Sequence, residues 1–473
     1  MAASESEELL PATQRALLHR VAVGQAEGRT PSLVGAIVRD GGRVWCGARS
    51  MIEDHEPDGN IQYRIGSITK TFVAVLIMRL RAEGLLDLAD PVGKYLDPGE
   101  AGSATIGQLL SHTAGLAAES RGPWWERTPG ELRPSLPDIL GDQSRPLPAG
   151  RQFHYSNPGF ALLGALAAEL RGHSWDEAVR REILSPLGMT RTTVRAQSPH
   201  AGGFAVHPWA DLMQPEPAEH TGHMAPAGDL WSTADDMCRF NAFLLDGDDR
   251  VLPAATLEEM RTNAAPMPGS GSGYGFGIQI MEREGKTFYG HGGSMPGFLA
   301  TVLVSPDDGL GVVTLSNATS GVAIGEIAAD LIEIVAKNEP RMPQRWKPRA
   351  GIGPELLSMT GLWYWGPRAT ILRLLSADML ELAPASGPGR ASRFRASGDG
   401  TGTWAGLDGY YTGETLRVVP AAGGVAEYLD LGTFVFTREP YGPGSPVAAR
   451  PHDDGWQAGL PGDGRGLSRW SLV

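Results

Sequence analysis

The sequence predicts an α+β domain, an antiparallel sheet flanked by helices with a mostly helical subdomain, followed by a small all-β barrel. Three observations carry this reading. Strand patterns stand at both ends of the first 338 residues and are scarce from Leu85 to about Met267, so one sheet is assembled around a helical insertion. Between Thr71 and Leu80 nearly every residue is apolar, and a helix without a polar face belongs inside a protein. Beyond residue 353 the pattern changes to short alternating strands with glycine turns, which suits a barrel or small sandwich. The boundaries fall at 1–338 for the first domain, 339–353 for a Pro/Arg-rich linker, 354–440 for the barrel and 441–473 for a flexible tail.

Residues 9 to 27 read as an amphipathic helix with Leu17, Leu18 and Val21 at helical spacing. Leu33 to Val38 and Arg43 to Cys46 read as strands around the hairpin signal Asp40-Gly41-Gly42. Tyr63 to Ile65 lead into Gly66-Ser67-Ile68-Thr69-Lys70 and the apolar helix, which Gly84 ends. Short helical pieces and proline-rich loops follow. Strands return at Tyr274–Ile280, Thr287–Tyr289, Phe298–Val304 and Gly311–Leu315, and a helix from about Val322 to Lys337 closes the unit. The second domain shows eight short strands between Leu362 and Thr437.

A chain of 473 residues is long enough for more than one domain. Its formal net charge of −13 argues against nucleic acid or an anionic membrane as partner, since both are polyanions. No apolar run approaches the roughly 18 residues of a membrane span. The acidic start, Met1 to Glu8, lacks the features of a secretory signal, so the expected location is cytoplasmic. Cys46 and Cys238 have no metal-ligand spacing and read as two free thiols.

The chemistry begins at Ser67 and Lys70. Three residues apart at the mouth of a buried helix, they share a face. A lysine drawn into that apolar setting has a lowered pKa, as a base requires, and a serine beside it becomes a nucleophile. His220 and His223 do not have helix-matched zinc spacing, and Glu284-Gly285-Lys286-Thr287 lacks the first glycine of a phosphate loop.

Four further stretches extend the pattern: Thr105 to Leu116, Leu147 to Gly159 with Tyr155-Ser156-Asn157, Ser185 to Met189, and Tyr289 to Phe298 with His291-Gly292-Gly293-Ser294. In this order they resemble class C β-lactamases, D,D-peptidases and related esterases, the penicillin-binding-protein-type serine hydrolases, over roughly Leu33 to Ala336. The resemblance implies a β-lactamase/transpeptidase-like fold, with Ser67 as nucleophile and Lys70 and Tyr155 as proton-handling partners. It implies that Asn157, His291, Gly292, Gly293 and Ser294 bind substrate, with the amides of Ser67 and Ser294 as oxyanion hole. A lysine next to Tyr155 would lower its pKa, and Asn157 would accept from Lys70 and donate to a substrate carbonyl. His291 stands where many relatives have lysine, which removes a permanent positive charge. His112 is expected to hold a loop. Gly361-Leu362-Trp363 resembles the start of lipocalin-type barrels.

The implied activity is covalent acyl transfer from an ester, thioester or amide, with no metal or organic cofactor and a small-molecule or peptide substrate. The alternatives are a thioesterase that releases or cyclises peptides ending in a D-residue, a β-lactamase, and a non-catalytic protein that binds a ligand in its barrel. Oligomeric state is not readable from the sequence.

Overall fold

A computed structural model describes residues 8–442, apart from 53–56, 130–134, 142–143, 262–264, 268–271, 342–345, 347, 349–350, 399–401, 421–425 and 433. Much of the expected linker and nearly all of the expected tail lie outside the described residues. The chain divides into two compact units, Met1–Pro343 and Gln344–Val473.

The first unit is built on one eight-stranded antiparallel sheet. Its strands are β1 (Ser32–Arg39), β2 (Gly42–Ser50), β3 (Ala265–Pro266), β4 (Gly273–Tyr274), β5 (Gln279–Arg283), β6 (Lys286–Met295), β7 (Phe298–Ser305) and β8 (Leu310–Ser316). Their spatial order is β2-β1-β8-β7-β6-β5-β4-β3. The N-terminal hairpin therefore joins the C-terminal strands through β1 and β8, from Leu33↔Ser316 to Arg39↔Leu310. The β1–β2 turn places Asp40 and Gly41 at φ +51° and +76°, the left-handed pair that matches strand twist.

Helix α1 (Pro11–Glu27) and α5 (Ile324–Asn338) cover one face of the sheet. They approach so closely that a Cβ on Gly24 would lie 2.5 Å from Ile327 Cδ1. On the other face lie α2 (Thr69–Ala82) and α4 (Ala234–Asp246), with Phe72 and Phe240 stacked at 3.9 Å between ring centres. Every residue of α2 from Thr69 to Met78 is buried, as a helix apolar on all sides requires. α3 (Asn157–Arg171) belongs to the helical insertion and packs on α2. Both cysteines are free thiols.

The second unit is a closed antiparallel barrel of eight strands: β9 (Gly361–Trp365), β10 (Arg368–Ser376), β11 (Met379–Pro384), β12 (Ser392–Ala396), β13 (Thr403–Gly406), β14 (Thr415–Pro420), β15 (Ala426–Leu431) and β16 (Phe434–Thr437). Pairing of Tyr364 with Thr437 closes it, so the sandwich alternative does not hold. Trp363 fills the core and donates its indole N–H to the Met359 carbonyl at 2.8 Å, while Arg438 stacks over its ring. This is the lipocalin-like architecture that the Gly361-Leu362-Trp363 start implied. Among the described residues no helix is long and apolar enough to cross a membrane.

Candidate active site

A single 3₁₀ turn, Gly66–Ile68, leads into α2 and presents Ser67 at the surface of an otherwise buried element. Gly66 has φ +53°, and a Cβ there would lie 2.5 Å from the Ser294 backbone nitrogen. A Cβ on Gly293 would lie 1.9 Å from the Ile65 carbonyl oxygen and 3.2 Å from the Ser67 nitrogen. Only glycine permits this approach, which presses the backbone of 66–67 against that of 293–294. The two amides that the resemblance assigns to the oxyanion hole thus come from neighbouring stretches. β5 pairs with β6 only as far as Gly290, so the side of β6 beyond it carries no strand partner from β5 and borders the site.

Lys70 follows one turn after Ser67. Its Nζ lies 2.9 Å from Ser67 Oγ and donates to the Ala227 carbonyl at 2.6 Å. The side chain is fully buried, and desolvation lowers its pKa to about 7, partly offset by the charges of Glu119 and Glu126. Two residues beyond Ala227, Asp229 enters a buried ion pair. Asp229 bonds the Arg64 guanidinium and also accepts from the Thr221 amide at 2.8 Å, while Arg64 donates to the Glu219 carbonyl at 2.8 Å.

Tyr155 is fixed from both sides of its own backbone. The His154 amide donates to the His112 carbonyl at 2.8 Å, and the Ser156 amide donates to His112 Nδ1 at 3.1 Å. Ser156 then caps α3 by accepting from the Gly159 amide at 3.1 Å. The Tyr155 hydroxyl is hydrogen-bonded to Ser67, and Lys70 Nζ lies 5.0 Å from the centre of its ring. Burial raises the phenol's pKa, whereas the sequence reading had it lowered by Lys70. Desolvation of the fully buried phenol is the largest effect on it, and the Glu119 charge adds to the rise, while the hydrogen bond with Ser67 opposes it. Tyr155 therefore stays a protonated donor at neutral pH.

Three further residues take positions that spacing did not show. Asn157 occupies the first turn of α3, where its Nδ2 donates to Glu119 Oε1 at 2.8 Å and its buried Oδ1 has no hydrogen-bond partner. The expected Lys70 partner is thus the Ala227 carbonyl instead. His291 is buried, donates from Nδ1 to the Gly292 carbonyl at 2.5 Å and accepts from the Tyr274 hydroxyl on Nε2 at 2.9 Å. Burial and Lys70 push its pKa down to about 3, so it is neutral and supplies no cationic charge. Gly292 gives its amide to Gln279 Oε1 at 3.0 Å.

His112 is a positioning residue for Tyr155: its ring lies 4.1 Å from the tyrosine ring, and its backbone adopts φ +55°. The roles of Glu119, Tyr274 and Ala227 were missed. The first two give no motif signal, and the third acts through a carbonyl, which any residue carries.

Together Ser67, Tyr155, Gln279, His291, Gly292 and Ser294 line a cavity of about 380 Å³, large enough for a small acyl group.

Residues 17–337 match the family model described as Beta-lactamase, and residues 352–438 match one described as a domain of unknown function, DUF7586. The chain is 30% identical over 257 residues to Beta-lactamase-like protein 2 of Dictyostelium discoideum, which covers 50% of this chain and 46% of that protein. It is 29% identical over 314 residues to Penicillin-binding protein 4 of Amycolatopsis lactamdurans, covering 61% and 80% respectively. The chain thus spans about half the length of the Dictyostelium relative. Among solved structures, SurE is 25% identical with TM-score 0.58 and covers 90% of this chain and 99% of its own. The D-stereospecific amidohydrolase from a Streptomyces species is 27% identical with TM-score 0.55 and covers 69% and 98%.

Proposed function

Since the chain belongs to the β-lactamase family of serine hydrolases, we propose that it transfers an acyl group through Ser67, using Lys70 as general base and Tyr155 as proton donor. The observation that carries this reading is the 2.9 Å approach of a fully buried, half-discharged Lys70 to Ser67 Oγ, with Tyr155 on the same hydroxyl.

The neutral amine takes the Ser67 proton as Oγ forms a bond to the substrate carbonyl carbon. The amides of Ser67 and Ser294 receive the oxyanion; each such donor is worth about 10²–10³ in rate. Collapse breaks the bond to the leaving group, which takes a proton through Tyr155 from Lys70. Water, or an amine, then attacks the acyl-enzyme by the reverse sequence and restores Ser67.

The substrate class follows from charge. His291 is neutral and Lys70 is buried, while Glu119 and Glu126 act on the site. An acyl donor without a free carboxylate, an ester or an amide, fits this field better than a β-lactam carboxylate does. Release or cyclisation of a peptide with a C-terminal D-residue, through aminolysis of its thioester, is the second reading. It draws support from the likeness to the D-stereospecific amidohydrolase. Asn157, His291, Gly292, Gly293 and Ser294 form the substrate side of the site in either reading.

The test is labelling of the full chain with a fluorophosphonate, wild type against Ser67→Ala. Labelling of the wild type alone is the expected result. Equal labelling of both proteins, or of neither, refutes the assignment. A peptidyl thioester then separates the two readings by its ratio of cyclic to linear product.

A further inference from the structure

The second unit carries a cavity of about 700 Å³ at the barrel wall, lined among others by Trp365, Arg368, Leu382, Arg390, Tyr411 and Phe436. Its chemistry is uneven in an informative way. Arg390 lies over the Tyr410 ring at 3.9 Å and the Phe434 ring at 4.8 Å from their centres, and it donates to the Tyr411 hydroxyl. Arg368 and Arg390 form no ion pair among the described residues, in a chain of net charge −13, whereas Arg373 and Arg393 of the same unit pair with Glu381 and Asp408. Tyr410 and Trp365 expose much of their surface beside them. The loop that carries Arg390 is pressed onto the end of β11, since a Cβ on Gly389 would lie 2.6 Å from Pro384 Cγ.

A guanidinium without a carboxylate partner, lying over aromatic rings, keeps N–H donors free for the two oxygens of a carboxylate. The walls behind it are aromatic and aliphatic, and the volume suits a small organic molecule. We infer that this cavity binds a small aromatic monocarboxylate, its ring against Trp365, Tyr411 and Phe436 and its carboxylate on Arg390 and Arg368. The inference does not depend on the role of Ser67.

Isothermal titration calorimetry of the full chain tests it, with 2-naphthoate, 2-naphthalenemethanol and phenyl phosphate as probes. Naphthoate is expected to bind with at least tenfold higher affinity than the alcohol. Arg390→Gln should weaken naphthoate at least tenfold, leave the alcohol unchanged and preserve the near-ultraviolet circular dichroism. Arg390→Lys, which keeps the charge and loses the fork, should fall between. Prior labelling of Ser67 by a fluorophosphonate should leave the affinity unaltered. Equal binding of acid and alcohol, no binding of naphthoate, an Arg390→Gln variant with unchanged affinity, or loss of binding after labelling overturns the inference. Phenyl phosphate binding tenfold tighter than naphthoate overturns the choice of a carboxylate.

Discussion

With Lys70 as the general base proposed above, its protonation state sets the pH dependence of the reaction. Moving a buried ammonium from the ordinary lysine range to a pKa of about 7 reflects about 5 kcal/mol of lost solvation for the charged form. At pH 7 about half of the molecules then hold a neutral amine, and at pH 6 about a tenth; an exposed lysine at about 10.4 would leave roughly one molecule in 2,500 at pH 7. The expected profile of kcat/KM for a p-nitrophenyl ester rises about tenfold per pH unit below neutrality and levels off by about pH 8.

The same shift has a stability consequence. Between pH 7 and the ordinary lysine pKa the unfolded chain holds a proton that the folded chain lacks, so stability rises with pH across that window and is constant, for this residue, below it. Lys70→Met relieves about 4–5 kcal/mol of penalty at pH 7 and loses two hydrogen bonds of about 1 kcal/mol each, a net gain of about 2–3 kcal/mol. Calorimetry should therefore show a raised Tm in a protein that no longer hydrolyses the ester. A limb centred above pH 9, a flat profile down to pH 5.5, or a Lys70→Met protein with an unchanged or lower Tm refutes the reasoning.

Two other perturbations follow from the packing. Gly293→Ala sets a methyl group into the Ile65 carbonyl, so ester hydrolysis should fall at least 100-fold through displacement of the Ser294 amide; near wild-type kcat would show that the two backbones are not held together. Asp229→Ala strands the buried Arg64 charge and should cost about 3–5 kcal/mol in denaturant unfolding, with a loss below 1 kcal/mol contradicting the structural weight given to this pair.

The parts legible in the sequence were those set by short-range periodicity. The apolar run behind Ser67 could only be an internal helix, and three-residue spacing put Lys70 on the serine's face. The sheet assembled from both ends was visible because strand patterns simply stop between Leu85 and about Met267. What escaped was whatever depends on partners distant in sequence. The Ala227 carbonyl that holds Lys70 has no side-chain signature. The Glu119 carboxylate that takes Asn157 lies 38 residues away. The direction of the Tyr155 shift depends on how completely its surroundings exclude water, which no spacing records. The barrel itself was legible in the run of short alternating strands after residue 353; the register that closes it, Tyr364 opposite Thr437, was not.

The pairing of β1 with β8 governs how this molecule can be made. During vectorial synthesis the ribosome must add about 270 residues after Arg39 before Leu310 exists to meet it, a delay on the order of 15 to 50 s at ordinary elongation rates. Throughout that interval the nascent hairpin has a bare edge, because β8 alone joins β1 to β7 in the sheet. A chain terminated before Leu310 therefore keeps Ser67, Lys70, Tyr155 and Ser294 but lacks the strand that joins the two ends of the sheet.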